Sequence, residues 1–512
     1  MTGPRHVEPR RRLLSALHVK LIRLAAVRAV GLAAALAGTA GFLGAAAGDE
    51  MAAPAPGRVE GRPPAHRTSP LQARIDAAAP GATVEVEPGA YVGDLVIDKP
   101  LRLVGRGRPL LAGSASGSVV RVRAGDVAIE GFDVDGRRGG NLGRDTAGIH
   151  TAAPRTTIRD CRVREALFGI YLREAHDAVV EGCLVQGIPG LDPGEKGSGI
   201  HVWNTERFRL ERNEIVGVRD GFYIQSSHHG LVRGNTARDV RYGLHYMFSD
   251  DNVFEDNTFE GGDAGTAIMY SNRIAFRRNR FVRNRGFASV GLLFKTCEDV
   301  VAEDNLIADN ARGIFMDDVY RGTFRRNVVA GSDAGVVLYQ GAADNRFEDN
   351  AFVGNMTPLS LVGRRTDTVF LGNYWSGNEE PDLDGDGRSD RPYRLSSVFD
   401  HFRGNLTAAD LLSDSVAASA LAAAERAFPV LAPVAVEDAR PRVRPPVLPR
   451  VPRPGGRARG PSPVGLAGSA ALFGLGAAVM ARGRRPGPAG RRTAGSAVRA
   501  PGGGGGTIGG PS

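Results

Sequence analysis

Three side chains near the middle of the chain carry donor atoms suited to a soft cation. His245 and Met247 stand two apart in GLHYMFSDDN, and Met269 follows in TAIMYSN. Imidazole nitrogen with thioether sulfur is a ligand set for Cu(I). A second set is acidic. Asp382, Asp384 and Asp386, with Gly387 and Asp390, follow the first half of a calcium loop: alternate carboxylates and a glycine at the sharp turn. The bidentate Glu such a loop needs at its twelfth position is Tyr393 here. A third set, His150, Tyr171, His201, Trp203 and Tyr223, offers rings on which a sugar could stack. Asp250, Asp251, Asp317 and Asp318 are the carboxylates at hand. They fall in turns or in separate repeats, so spacing supplies no acid–base pair for cleaving a glycosidic bond.

What must position these residues is a repeat. Asn recurs at 213, 235, 257, 279, 305, 327, 350 and 373, in phrases such as RGNTA, EDNTF, RRNRF and LGNYW. The gaps are 22, 22, 22, 26, 22, 23 and 23 residues, and Cys161 and Cys183 occupy the same column earlier. A fixed period of this size marks a solenoid whose repeats bury their core by stacking. About 14 residues before each Asn stands a Gly followed by an alternating run, such as GIYL at Gly169, GFYI at Gly221 and GIFM at Gly313. Period-two alternation is strand. Two or three short strands per turn, with bends at Gly and Asn, predict an all-β chain wound as a parallel β-helix, with coils about 4.8 Å apart. Stacked Asn amides can donate to one neighbour and accept from the next, so the column is structural.

Residues 116–375 hold the repeats and 70–115 the first coils with a cap. Ser69-Pro70 opens a short helix that places Leu71 and Ile75 on one face, a lid for the solenoid's open end. The Asp-rich loop spans 376–403 and an amphipathic helix 404–431, with Leu411, Leu412, Val416, Leu421 and Phe428 at helical spacing. Cys161 and Cys183 are expected as free, buried thiols, and Cys297 is placed in a turn.

The flanks carry the charge. The formal net charge is +9, but residues 1–29 contribute +6 and 432–512 contribute +11, which leaves the folded part acidic and argues against a nucleic-acid groove. Residues 1–47 read as an export signal, a basic run before an Ala/Gly/Leu stretch, followed by a linker over 48–69. A Pro/Arg-rich linker over 432–463 leads to an apolar run over 464–481, long enough for a membrane anchor, and a basic, Gly-rich tail over 482–512. The folded part is therefore expected outside the cytoplasm.

If the residue after each Gly points inward, the next points outward. One outward column then runs His150, Tyr171, His201, Tyr223, His245 and Met269, with Trp203 and Met247 in the column beside it. It is poor in charge for a solvated face and reads as a binding surface. The rings suit a polysaccharide trough. His245, Met247 and Met269, about 5–7 Å apart on adjacent coils, suit copper.

The segments GLHYMFSDDNVFEDNTF, TAIMYSNRIAFRRNRFVRNRG, GLLFKTCEDVVAEDNLIADNARGIFMDD and LGNYWSGNEEPDLDGDGRSDRPYR resemble the NosD family, maturation proteins of nitrous oxide reductase. The likeness covers roughly residues 70–435 and includes the AERAFPVL segment. It implies an exported, right-handed β-helix of the carbohydrate-binding repeat type with no hydrolase activity of its own. It also implies an ABC transporter's ATPase and permease, a copper chaperone and the reductase as partners in copper-centre assembly. The resemblance supplies no ligand set. The competing class is a polysaccharide lyase, epimerase or hydrolase.

Overall fold

In the computed structural model the described residues are 69–139, 145–285, 289–339, 341–362, 366–394 and 436–446, with 420 and 424 as isolated positions. The expected export signal, the amphipathic helix apart from those two positions, the apolar run over 464–481 and the tail lie outside them. Among the described residues no helix is long and apolar enough to cross a membrane.

Each coil lays one strand in each of three sheets, as in Val253–Glu255, Thr258–Glu260 and Ala264–Asn272. Among the described residues the sheets hold 15, 13 and 12 strands. Pairing within the coils is parallel throughout, and a strand's partner lies one coil on: Val253 faces Ala275 and Thr258 faces Arg280. The result is a parallel β-solenoid. Helix α1, Pro70–Ala77, closes its first coil: the Ser69 hydroxyl accepts from Gln72 N at 3.1 Å, and Leu71 and Ile75 are buried.

Alternation sends every second side chain inward, where like residues stack on like. Phe254 lies over Phe276 at 4.7 Å between ring centroids, Phe324 over Phe347 at 4.5 Å and Phe352 over Trp375 at 4.1 Å. From Ala147–Thr151 to Ala334–Leu338 a glycine stands at the start of each third-sheet strand, because that sheet passes close to the second. A Cβ on Gly221 would stand 2.6 Å from Gly243 O and 2.7 Å from the Ala237 methyl.

The Asn column forms the expected ladder. Asn257 donates from Nδ2 to Asn279 Oδ1 at 3.0 Å and from its backbone N at 3.0 Å, and Asn279 donates in turn to Asn305 Oδ1 at 3.1 Å. The same bonds run from Asn213 to Asn373. Such a ladder leaves, at its end, amide donors that need an acceptor. Asp438 supplies it: its Oδ2 accepts from Asn373 N, Asn373 Nδ2 and Trp375 Nε1 at 2.8, 2.8 and 3.1 Å, and its Oδ1 accepts from Gly372 N at 2.8 Å. Asp438 is fully buried. Residues 436–446, inside the stretch read as a linker, thus dock on the last coil, where Glu437–Asp438 pairs with both the solenoid and Tyr393–Arg394. All three cysteines are free and buried. Cys297 lies within the strand Val290–Glu298, not in a turn.

Candidate functional site

The outward face of the third sheet carries the candidate residues, and register sets their order. Tyr171 pairs with His150 and His201, and Tyr223 with His201 and His245. The column expected from alternation is therefore present from His150 to His245. Beyond it the order differs. A 22-residue coil places Ala267, not Met269, opposite His245, and Met269 faces Met247 directly. The two thioethers are neighbours across one strand spacing, about 4.8 Å, and His245 lies diagonal to Met269. Both methionines are half-buried beside the exposed, stacked pair Phe248 and Tyr270, 5.1 Å apart. Phe248 and Tyr270 hold left-handed backbone at φ 53° and 51°, unusual for bulky residues.

The ring column is continuous. Centroid separations are 5.1 Å for His150–Tyr171, 4.4 Å for Tyr171–His201, 4.4 Å for His201–Tyr223 and 4.8 Å for Tyr223–His245. These rings turn toward each other, and Tyr171 is only 5% exposed, so it offers no face to a sugar. Trp203 lies beside Arg173, whose guanidinium sits 5.2 Å from the ring centre. Burial lowers the imidazole pKa of His201 to about 3, and burial with Arg121 and Arg173 nearby lowers that of His150 to about 4. Both rings are thus neutral at ordinary pH. Both nitrogens of His150 and Nδ1 of His201 are buried without a hydrogen-bond partner.

His245 differs. Its Nδ1 lies 3.2 Å from Asp220 Oδ2, and Asp220 also takes a two-pronged contact from Arg241 at 2.9 and 2.8 Å. Asp220 carried no signal in the sequence reading. Its proximity to His245, one coil and three residues away, follows from the register that pairs Asp220 with Tyr242.

The carboxylates named from sequence form no general acid–base pair. Asp251 pairs with Arg273 at 2.7 Å, Asp250 approaches the same guanidinium, and Asp317 faces Lys295 at 3.9 Å. Of the acidic loop, Asp382, Asp384 and Asp390 bring one oxygen each within 4.8 Å of the others. Asp386 is turned away, accepting from Arg388 N and from Arg440 Nη2, both at 2.8 Å. The donor chemistry of Met247, Met269 and His245 fits Cu(I), since two soft sulfurs and one imidazole lie within two coils.

Fold and face together define a parallel β-helix protein with a His/Tyr/Met wall. Solved structures share the winding: the A-modules of mannuronan C-5 epimerases AlgE6 and AlgE4 from Azotobacter vinelandii match with TM-scores of 0.52 and 0.50 at 19% and 18% identity, covering 59% and 58% of this chain and 94% of each module. At that identity the likeness is one of fold. Sequence goes further. Residues 188–380 match the family described as periplasmic copper-binding protein (NosD). A relative from Stutzerimonas stutzeri named "Probable ABC transporter binding protein NosD" is 29% identical over 375 residues, 70% of this chain and 85% of the relative. One of the same name from Pseudomonas aeruginosa is 29% identical over 385 residues, 72% of this chain and 89% of the relative. Over residues 188–380, and at 29% identity along about 70% of its length, the chain is similar to the NosD family.

Proposed function

We propose that this protein is an exported accessory factor that works with an ABC transporter, through its ATPase and permease, to assemble the copper centres of nitrous oxide reductase. Cu(I) is its cargo, received from a copper chaperone and held for a time by Met247, Met269 and His245. The observation that carries this reading is the direct facing of Met247 and Met269 on the outer wall, diagonal to His245. Two half-buried thioethers opposite each other on an outward face are soft ligands. The family description as a periplasmic copper-binding protein supports the metal and the compartment, and the relatives' names support the transporter. The chain's own residues bind and release; transporter motion would change which face is offered.

Cu(I) titration of the full chain against a chromogenic competitor tests the site. Met247→Ala with Met269→Ala should weaken binding about 100-fold or more, on the scale of losing soft ligands from a small site; unchanged affinity would remove these residues from the site. In cells lacking the protein the reductase should accumulate without copper. Turnover of uronic-acid polymers by the purified chain would instead favour the polysaccharide class.

A further inference from the structure

Of the three imidazoles in the outward column, His245 is held by a carboxylate, whereas both nitrogens of His150 and Nδ1 of His201 are without partners. We propose that Asp220, locked in place by Arg241, is a positioning residue that fixes the tautomer and orientation of His245 for the metal; this rests on the Cu(I) reading above.

The Asp220 side chain is 2% exposed and its oxygens are committed. Arg241 Nε donates to Oδ1, while Arg241 Nη2 and His245 Nδ1 both lie against Oδ2. An ionised carboxylate only accepts. Both Asp220 oxygens already accept from Arg241, so the bond at Oδ2 is one that His245 Nδ1 donates, and Nε2 is the ring nitrogen turned away from the carboxylate and left for a metal. The imidazole is also clamped by rings: Tyr223 and Tyr242 meet it edge-on at 4.8 and 5.3 Å. Arg241 lies over Tyr242 at 4.4 Å, so the guanidinium is fixed as well. A carboxylate bonded to the far nitrogen of a ligating imidazole sets the ring's orientation and raises its basicity. Asp220 stands one coil before His245, on the side of the imidazole away from the coil that carries Met269.

The test uses the full chain with nitrogen-15-labelled histidine. In the metal-free protein the His245 signals should show the Nδ1–H tautomer, and Asp220→Asn, whose amide can donate as well as accept, should mix or invert it. In the competitor titration Asp220→Asn should lose about 10- to 100-fold in Cu(I) affinity, and adding it to His245→Ala should cause no further loss. If His245→Ala weakens binding while Asp220→Asn changes neither tautomer nor affinity, the positioning role is wrong and the copper reading stands. If His245→Ala and the double methionine variant both bind Cu(I) as the wild type does, the copper reading falls and this inference with it. Should Asp220→Asn fail to fold, Arg241→Lys keeps the charge but removes the fork; it should loosen the His245 signals and weaken binding, and unaltered signals would overturn the proposal.

Discussion

The first and third sheets are laid down by the same coils, yet their outer faces have opposite characters. On the first, charges answer each other from coil to coil. Arg159 meets Glu181 at 2.9 Å, Arg233 meets Glu211 at 3.0 Å, and Glu303 is gripped by Arg325. Even the left-handed turn residues before the Asn column alternate in sign: Asp256 binds Arg278 at 2.9 Å and Asp304 binds Arg326 at 2.8 Å. That surface neutralises itself and leaves little for a partner. On the third sheet the column from His150 to His245 carries no permanently charged side chain, both nitrogens of His150 and Nδ1 of His201 are left over, and two facing thioethers stand in the column beside it. A stacked fold makes repetition favourable, because each residue is partnered by its copy. A wall that departs from repetition and leaves soft or neutral donor atoms unpaired by charge is where binding is to be sought.

The strongest test of that contrast lies inside. Asn279→Ala would leave Asn257 N and one N–H of Asn257 Nδ2 without their acceptor and Phe254 O without the Asn279 amide, while Asn305 Oδ1 would keep only the backbone N of residue 279. Unpaired buried polar groups cost roughly 1–3 kcal/mol each. Denaturant unfolding should therefore show a loss of about 3 kcal/mol or more; a loss below about 1 kcal/mol would mean the ladder is dispensable.

Intermediate in size is the pH response of the wall. His150 and His201 have folded pKa values of about 4 and about 3, below their value of 6.5 in the unfolded chain. Stability from keeping them neutral is thus fully present above pH 6.5. It falls as pH drops, because the unfolded chain takes up protons that the folded rings refuse. Each ring contributes up to about 1.4 kcal/mol per pH unit between its two pKa values. Melting temperature measured from pH 7 to 4.5 should fall less steeply in His150→Phe with His201→Phe than in the wild type. Parallel curves would show that these rings do not resist protonation.

The smallest effect belongs to the first sheet's exterior. Arg159→Ala removes an exposed ion pair and should change stability by less than about 1 kcal/mol, with Cu(I) affinity unaltered. A change in copper affinity would end the division of labour between the two faces.

Much of this was legible in the chain. The Asn column, the Gly that recurs at the start of the third-sheet strands in the repeats, the lid with Leu71 and Ile75, and the run from His150 to His245 all follow from period and alternation. Those signals are local, and in a stacked fold the next copy supplies the partner, so a fixed period already states who touches whom. Alternation also marked Met247 and Met269 as outward. Their direct facing needed the register of that particular coil.

Other features needed the chain to return in space. Asp438 is separated by 65 residues from the Asn373 it satisfies, and nothing near it in sequence repeats. Asp220 looks like any polar turn residue until pairing with Tyr242 brings its carboxylate to the imidazole of His245. Asp386 belongs by pattern to the acidic loop, but Arg440, 54 residues on, draws it away. Periodic contacts were determined by the sequence alone, because stacking is a translation; singular contacts were decided by the tertiary structure, because only closure of the fold fixes which unrepeated side chains meet.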